Sequence, residues 1–172
     1  GLLSRVAVGV QGITDGDGAH MLWSPITSER DLPIGAWLGE AFGVPVKVSN
    51  DSDLIAVALN WRYPERYDEN FAAVLVSPGV GMGLFLNGHL ANGTRSSGME
   101  FGHMTHIPGG ALCRCGRLGC VEAYAGDYAI SRRAKGEDEH TPPSAVFTAT
   151  EIDAITEAAD AGDTRARAAM KA

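Results

Sequence analysis

The chain has 172 residues, 45% of them hydrophobic and 20% charged, which is the balance of a folded globular protein and excludes a disordered one. Its 14 basic and 21 acidic residues leave a formal charge of −7, which argues against a generic nucleic-acid surface and gives no attraction to an anionic membrane. The sequence contains no apolar run of the roughly 18 residues that a membrane-spanning helix needs.

The length suits one domain, or two small lobes sharing a cleft. The first residues, Gly1-Leu2-Leu3-Ser4-Arg5, lack the charged-then-apolar pattern of a signal peptide and do not begin with Met, so the chain reads as a piece of a longer one. The 3 cysteines are clustered and odd in number, which suits metal ligation in a reducing compartment better than a disulfide framework, so a cytoplasmic location is expected. Glycine is abundant, with 22 residues, about twice its usual share.

Val6 to Val10 reads as a buried strand, followed by a turn-rich stretch over 13–33. Ile34 to Phe42 has helical spacing, with Gly43 placed as a C-cap. Val44 to Val48 is a second strand, running into the cap-forming cluster Ser49-Asn50-Asp51-Ser52-Asp53 and a helix from Leu54 to Trp61. A composition shift over 63–70 suggests a lobe boundary, with 1–66 in a first α/β lobe and 67–172 in a second. Phe71 to Val76 is a strong strand, followed by a glycine loop over 77–83, a strand at Leu84 to Leu86 and an Asn87-Gly88 turn. Residues 92–122 read as an ordered loop rich in Gly, Cys and His, and Val121 to Ala134 as a helix. Residues 135–143 read as a linker or exposed loop, and 151–172 as one or two helices interrupted near Gly162. Strands alternating with helices define an α/β chain.

Four groups of residues can carry chemistry. Cys113, Cys115 and Cys120 fall within one short glycine-containing stretch, which suits a tetrahedral soft metal such as Zn²⁺. The fourth ligand would be His103 or His106, and a site filled entirely by protein would be structural. Asn50 and Asp51 sit at a strand-to-helix junction, where an Asp can act as a general base and an Asn can fix a hydroxyl, although helix capping alone also explains them. Gly79 and Gly81 lie in a loop that could present backbone N–H groups to phosphate, or simply form a tight turn. If a metal gathers 103, 113, 115 and 120, then Glu100 and Glu122 come close as well, giving carboxylates and an imidazole suited to sugar hydroxyls.

Read together, Val46 to Asp51, Val80-Gly81-Met82-Gly83 before Asn87-Gly88, Glu100-Phe101-Gly102-His103 and Cys113-Arg114-Cys115-Gly116 through Gly119-Cys120-Val121-Glu122 resemble the ROK family of sugar-responsive repressors, open reading frames and sugar kinases. The likeness spans about residues 6–134. It implies an actin-like ATPase (ribonuclease H-like) fold, here partial, with a zinc-bound loop. It implies Zn²⁺ on His103, Cys113, Cys115 and Cys120, and a sugar held by Asn50, Asp51, Glu100, His103 and Glu122. In a kinase of this family, Asp51 would be the catalytic base, with ATP and Mg²⁺ as cofactors and Gly79 and Gly81 near the phosphates. Family members are commonly dimers or tetramers.

The sequence departs from the kinases at Ser77-Pro78-Gly79, where they usually have Gly-Thr-Gly; Pro78 offers a phosphate neither an N–H nor a hydroxyl. Met99 and Gln11 are smaller departures. The resemblance also implies that the kinases' N-terminal phosphate loop and the repressors' DNA-binding helices lie outside this chain, and that it stops before the family's C-terminal segment. The expectation is therefore a sugar-binding effector domain of a ROK-type transcriptional regulator, touching DNA only through a domain absent from this chain. The alternative is a kinase acting on a hexose or N-acetylhexosamine.

Overall fold

The computed structural model describes residues 3–93, 99–143 and 149–171; residues 94–98, within the ordered loop expected over 92–122, lie outside the described residues. β-branched side chains at alternating positions favour extended backbone, and β1 (Val6–Val10) pairs in parallel with β4 (Val46–Asn50). The register sets Val6 opposite Val46 and Val10 opposite Asn50, so the strand runs two residues past the expected Val48 and delivers Asn50 to its carboxyl end. A parallel pair needs a crossover. Here the crossover holds the small antiparallel hairpin of β2 (Ile13–Thr14) and β3 (Met21–Trp23), then α1 (Ile34–Phe42). The bounds of α1 are those expected, and Gly43 closes it in the left-handed conformation with its N–H on the Gly39 carbonyl, 2.9 Å away.

Helix α2 (Asp51–Arg62) begins three residues earlier than the expected Leu54. The reason is that Asn50 alone is the cap: its Oδ1 accepts from the N–H groups of Ser52 (2.8 Å) and Asp53 (3.2 Å). Asp51 and Asp53 then fall in the first turn, where the helix dipole favours negative charge.

The next sheet has the order β5 (Phe71–Val76), β6 (Val80–Leu86), β7 (His89–Leu90). The Asn87-Gly88 turn forms as expected, with both residues at positive φ (53° and 74°). The glycine loop expected over 77–83 does not form as such: the turn is confined to 77–79, and Gly81 and Gly83 lie inside β6. Gly83 is needed for close approach, since an added Cβ would collide with the Ser52 carbonyl oxygen and the Ala56 methyl of α2.

The described residues fall into two units, Gly1–Val74 with Met82–Met99, and Leu75–Gly81 with Glu100–Ala172. This differs from the division expected at residue 66. Phe71 stacks on Phe85 (centroids 4.8 Å apart), and Gly83 packs on α2, which binds most of the hairpin to the first unit.

In the second unit a 3₁₀ turn (Phe101–His103) precedes the cysteine segment. The helix expected from Val121 to Ala134 is two helices, α3 (Glu122–Ala125) and α4 (Asp127–Lys135). They are separated by Gly126 in extended conformation (φ −70°, ψ 152°), with the Asp127 N–H turned onto the Ser77 carbonyl. Then come α5 (Ala149–Asp160) and α6 (Thr164–Met170), interrupted around Gly162 as expected. Arg133 Nε donates to the Ala169 carbonyl (2.9 Å) and Arg167 Nε to the Ala159 carbonyl (2.7 Å), which ties α4, α5 and α6 together. The segment expected over 135–143 as a linker or exposed loop is largely exposed, and it is tethered at two points: Leu112 N–H donates to the Glu139 carbonyl and Arg132 to the Thr141 carbonyl. Among the described residues no helix is long and apolar enough to cross a membrane.

Replacing Gly83 by Ala forces β6 away from α2. Overpacking of this kind costs about 1–3 kcal/mol, so thermal denaturation of G83A should show a clearly lower midpoint than the wild type.

Candidate metal centre

The cysteine segment is a tight hairpin. Cys113 N–H donates to the Arg117 carbonyl (2.9 Å), Gly116 N–H to the Cys113 carbonyl (2.9 Å), and Gly119 N–H to the Ala111 carbonyl (2.8 Å). The Gly119 carbonyl in turn accepts from the N–H groups of His106 (2.7 Å) and Ile107 (3.1 Å). Gly119 sits at φ 78°, and any side chain there would run into the Ile107 carbonyl. Only glycine lets these backbones close, and their closure carries Cys120 back toward Cys113 and Cys115.

His103, Cys113, Cys115 and Cys120 offer ligand atoms that all lie within 4.8 Å of one another. His103 Nδ1 is 3.6 Å from Cys113 Sγ, and Cys115 Sγ is 3.8 Å from Cys120 Sγ. A tetrahedral zinc ion, with bonds of about 2.3 Å to sulfur and 2.0–2.1 Å to nitrogen, sets its ligands about 3.6–3.8 Å apart. The four groups therefore match a tetrahedral soft metal in donor type, and these two separations match its spacing. His103, and not His106, completes the set; the His106 ring instead packs edge-on to Tyr124, 5.6 Å between centroids.

Burial pushes the Cys113 thiol up to about 12, against hydrogen bonds from the Cys115 backbone and the Tyr128 hydroxyl that favour the thiolate. Burial also raises Cys120, and the neighbouring Cys115 adds to that rise. In Cys115 the burial effect is outweighed by the Arg117 backbone and side chain, so that this thiol is the most acidic of the three in direction. Arg117 Nη2 also donates to the His103 carbonyl (2.9 Å), which ties the imidazole-bearing turn to the hairpin.

The other face of the His103 ring looks toward a carboxylate, with Nε2 3.9 Å from Glu100 Oε2. The histidine thus stands between the thiols and Glu100. Burial raises the Glu100 pKa and the Glu122 charge adds to this, while His103 and Arg117 offset part of it. Glu122 is 4% exposed. Its Oε2 accepts from Val80 N–H (3.1 Å), and its Oε1 lies 3.4 Å from Arg114 Nη2 and 3.9 Å from Cys113 Sγ.

Asn50 and Asp51 belong to the first unit, at the carboxyl end of β4. Both polar atoms of Asn50 bond within the protein: Oδ1 caps α2 and Nδ2 donates to the Gly12 carbonyl (2.8 Å). Asp51 Oδ1 accepts from Ser52 N–H (2.8 Å). Gly79 closes the turn over 77–79 by accepting from Ser77 N–H (2.9 Å), and Gly81 is a strand residue. Sequence reasoning missed Arg114, Arg117 and Tyr128. An Arg beside two thiols is a readable charge signal, whereas Tyr128 reaches Cys113 from a separate helix and leaves none.

Residues 1–172 match the ROK family. The chain is 31% identical over 169 residues to a glucokinase of Halalkalibacterium halodurans, covering 92% of this chain and 51% of that protein. It is 28% identical to a xylose repressor of Bacillus subtilis, covering 80% of this chain and 35% of that protein. Among solved structures it resembles a ROK family glucokinase from Streptomyces griseus in complex with glucose and AMPPNP (TM-score 0.77, 28% identity, 97% of this chain and 56% of that one). It resembles equally a ROK family transcriptional regulator homologous to the E. coli MLC protein (TM-score 0.78, 27% identity, 96% of this chain and 42% of that one). The chain belongs to the ROK family and has the α/β, actin-like ATPase fold of that family. It spans about half the length of the Halalkalibacterium glucokinase, at 51%, and less of the Bacillus repressor, at 35%.

Because metal ligation needs thiolates and Cys113 and Cys120 hold their protons, loading should release protons and tighten as pH rises. Competition against a colorimetric chelator across roughly pH 6 to 9 should show affinity increasing by more than tenfold per pH unit where at least two protons leave. An affinity independent of pH would exclude thiolate ligation.

Proposed function

We propose that this chain is a sugar-binding effector domain of a ROK-type transcriptional regulator, in which zinc held by His103, Cys113, Cys115 and Cys120 organises the sugar-facing residues. Zinc supplies cross-linking there and no open coordination position, since all four ligands come from the protein. The chain's own residues do the recognition. His103, with Nδ1 turned to the thiols, keeps Nε2 for hydrogen bonding, and Glu100 stands beside it. A neutral polyhydroxyl ligand needs such directed donors and acceptors, with Asp51, Asn50 and Glu122 as the further candidates. Asn50 and Glu122 have both polar side-chain atoms engaged within the protein whereas Asp51 bonds through Oδ1, so Glu100, His103 and the second carboxylate oxygen of Asp51 are the principal contacts in this reading.

The observation that favours a regulator is the turn over 77–80. Pro78 has no N–H, and Val80 N–H is already bonded to the Glu122 carboxylate. That turn has little left to offer a nucleotide phosphate. DNA contact belongs, in this reading, to a domain outside this chain. The protein would be cytoplasmic and a homodimer or homotetramer.

The second reading is an ATP- and Mg²⁺-dependent sugar kinase, with Asp51 taking the proton from the attacking hydroxyl and Gly79 and Gly81 near the phosphates. The 31% identity to a glucokinase and the presence of Asp51 at the start of α2, just past the end of β4, favour it.

The purified protein is tested against hexoses and N-acetylated amino sugars, by thermal shift without nucleotide and by ADP release with ATP and Mg²⁺. A regulator should gain about 5 °C or more at saturating sugar and release no ADP. Sugar-dependent ADP release that disappears in D51N would establish the kinase in its place.

A further inference from the structure

Arg114 lies between Cys113 and Cys115, so its backbone is set by the same hairpin that gathers the thiols. Its N–H faces the Tyr128 hydroxyl (3.4 Å), and its guanidinium lies over the Tyr128 ring, 5.3 Å from the centroid. From there Nη2 donates to the Pro78 carbonyl (2.8 Å) and faces Glu122 Oε1 (3.4 Å). Glu122 Oε2 accepts from Val80 N–H, which closes a ring running Pro78, Arg114, Glu122, Val80. The turn is thereby gripped on both sides of Gly79, by its carbonyl at 78 and its N–H at 80. It also lies flat on the charged pair: an added Cβ at Gly79 would stand 2.9 Å from Glu122 Oε2 and 3.0 Å from Arg114 Nη2.

We propose that Arg114 is a positioning residue that couples the metal hairpin to the turn over 77–80, so that the order of this turn follows metal occupancy. The physical reason is that Arg114 has long side-chain freedom and costs entropy to hold in place. A hairpin closed around a metal fixes its Cα, Tyr128 fixes the plane of the guanidinium, and the Pro78 contact is then made at little further cost. A dication held by three thiolates and a neutral imidazole carries net negative charge, which also retains a cation at its edge. Without the metal the hairpin keeps its backbone hydrogen bonds and the contacts of Cys113 with His103, Glu122 and Tyr128 but loses the cross-link among the four ligands, and the Arg114 grip on Pro78 relaxes.

This inference rests on metal binding under the proposed function and is independent of whether the protein is a regulator or a kinase. Its test is hydrogen exchange of the full chain, followed at Val80 N–H and the peptide around it, with zinc content measured by elemental analysis. The samples are zinc-loaded and chelated wild type, and zinc-loaded R114M and R114K. Methionine keeps an unbranched stem over Tyr128 and removes the donors, whereas lysine restores charge and donors. Chelation should speed Val80 exchange in the wild type. R114M with full zinc content should exchange roughly tenfold faster there, the loss of a charge-assisted hydrogen bond, and R114K should recover most of the protection. Unchanged Val80 exchange in zinc-replete R114M would overturn the proposal, as would chelated wild type that keeps Val80 protected. A wild type that takes up no zinc would remove the metal reading itself, and elemental analysis reports that failure separately from the exchange data.

Discussion

The convergence of three sulfurs and one imidazole nitrogen carries much of the second unit. The buried cluster at its heart is Ala111, Cys113, Cys120 and Ala123, with Tyr124 packed against it. Alanine and cysteine bury little apolar surface, and burial stabilises by roughly 25 cal/mol per Å². Among the described residues no large aliphatic side chain belongs to that cluster. The four ligand groups gathered there are the kind through which a soft metal, by coordinate bonds, would make up for scant apolar burial, as it does in other small segments whose folding depends on an ion. The close approach of Gly119 to Ile107 and the Leu112–Glu139 backbone bond bring neighbouring chain to that point.

The first unit rests on a different device. Its parallel β1–β4 pair ends with Asn50, and the strand hands directly into α2. In open α/β sheets the carboxyl ends of strands are where ligands collect. Val48, only 1% exposed, anchors the strand just before this junction. The candidate ligand residues of the first unit therefore follow directly on a buried strand, and those of the second lie on the 3₁₀ turn tied to the cysteine hairpin through Arg117 and at the start of α3.

Much of this was legible in the chain. Periodicity placed α1 residue for residue, and the cysteine spacing pointed to a metal before any geometry was known. Other features were hidden for physical reasons. A cluster of five cap-forming residues over 49–53 does not reveal which one caps, because that depends on where pairing with β1 stops. The Gly-x-Gly-x-Gly pattern over 79–83 reads as a loop, yet Gly81 and Gly83 are strand residues; the demand for glycine at 83 comes from α2, which is remote in sequence. Spacing alone left two histidines as possible ligands, and the resemblance to a family favoured His103. Tertiary folding brings that ring to the thiols and turns the His106 ring to Tyr124. The resemblance also marked Glu122 as a sugar contact, but no pattern in the chain showed that its two oxygens bond to Val80 and approach Arg114.

Asn50 has a consequence for which residues can ever replace it. Its amide accepts two backbone N–H groups with one end and donates to the Gly12 carbonyl with the other. Aspartate could keep the cap but has no hydrogen to donate, and would set a negative charge against a carbonyl oxygen. Serine or threonine could cap the helix but could not span to Gly12 at the same time. Glutamine carries the right groups on a stem one carbon too long for the cap. Each of these replacements therefore gives up either the helix cap or the tie to Gly12, so the junction between β4 and α2 depends on this amide whatever ligand the neighbouring residues come to recognise.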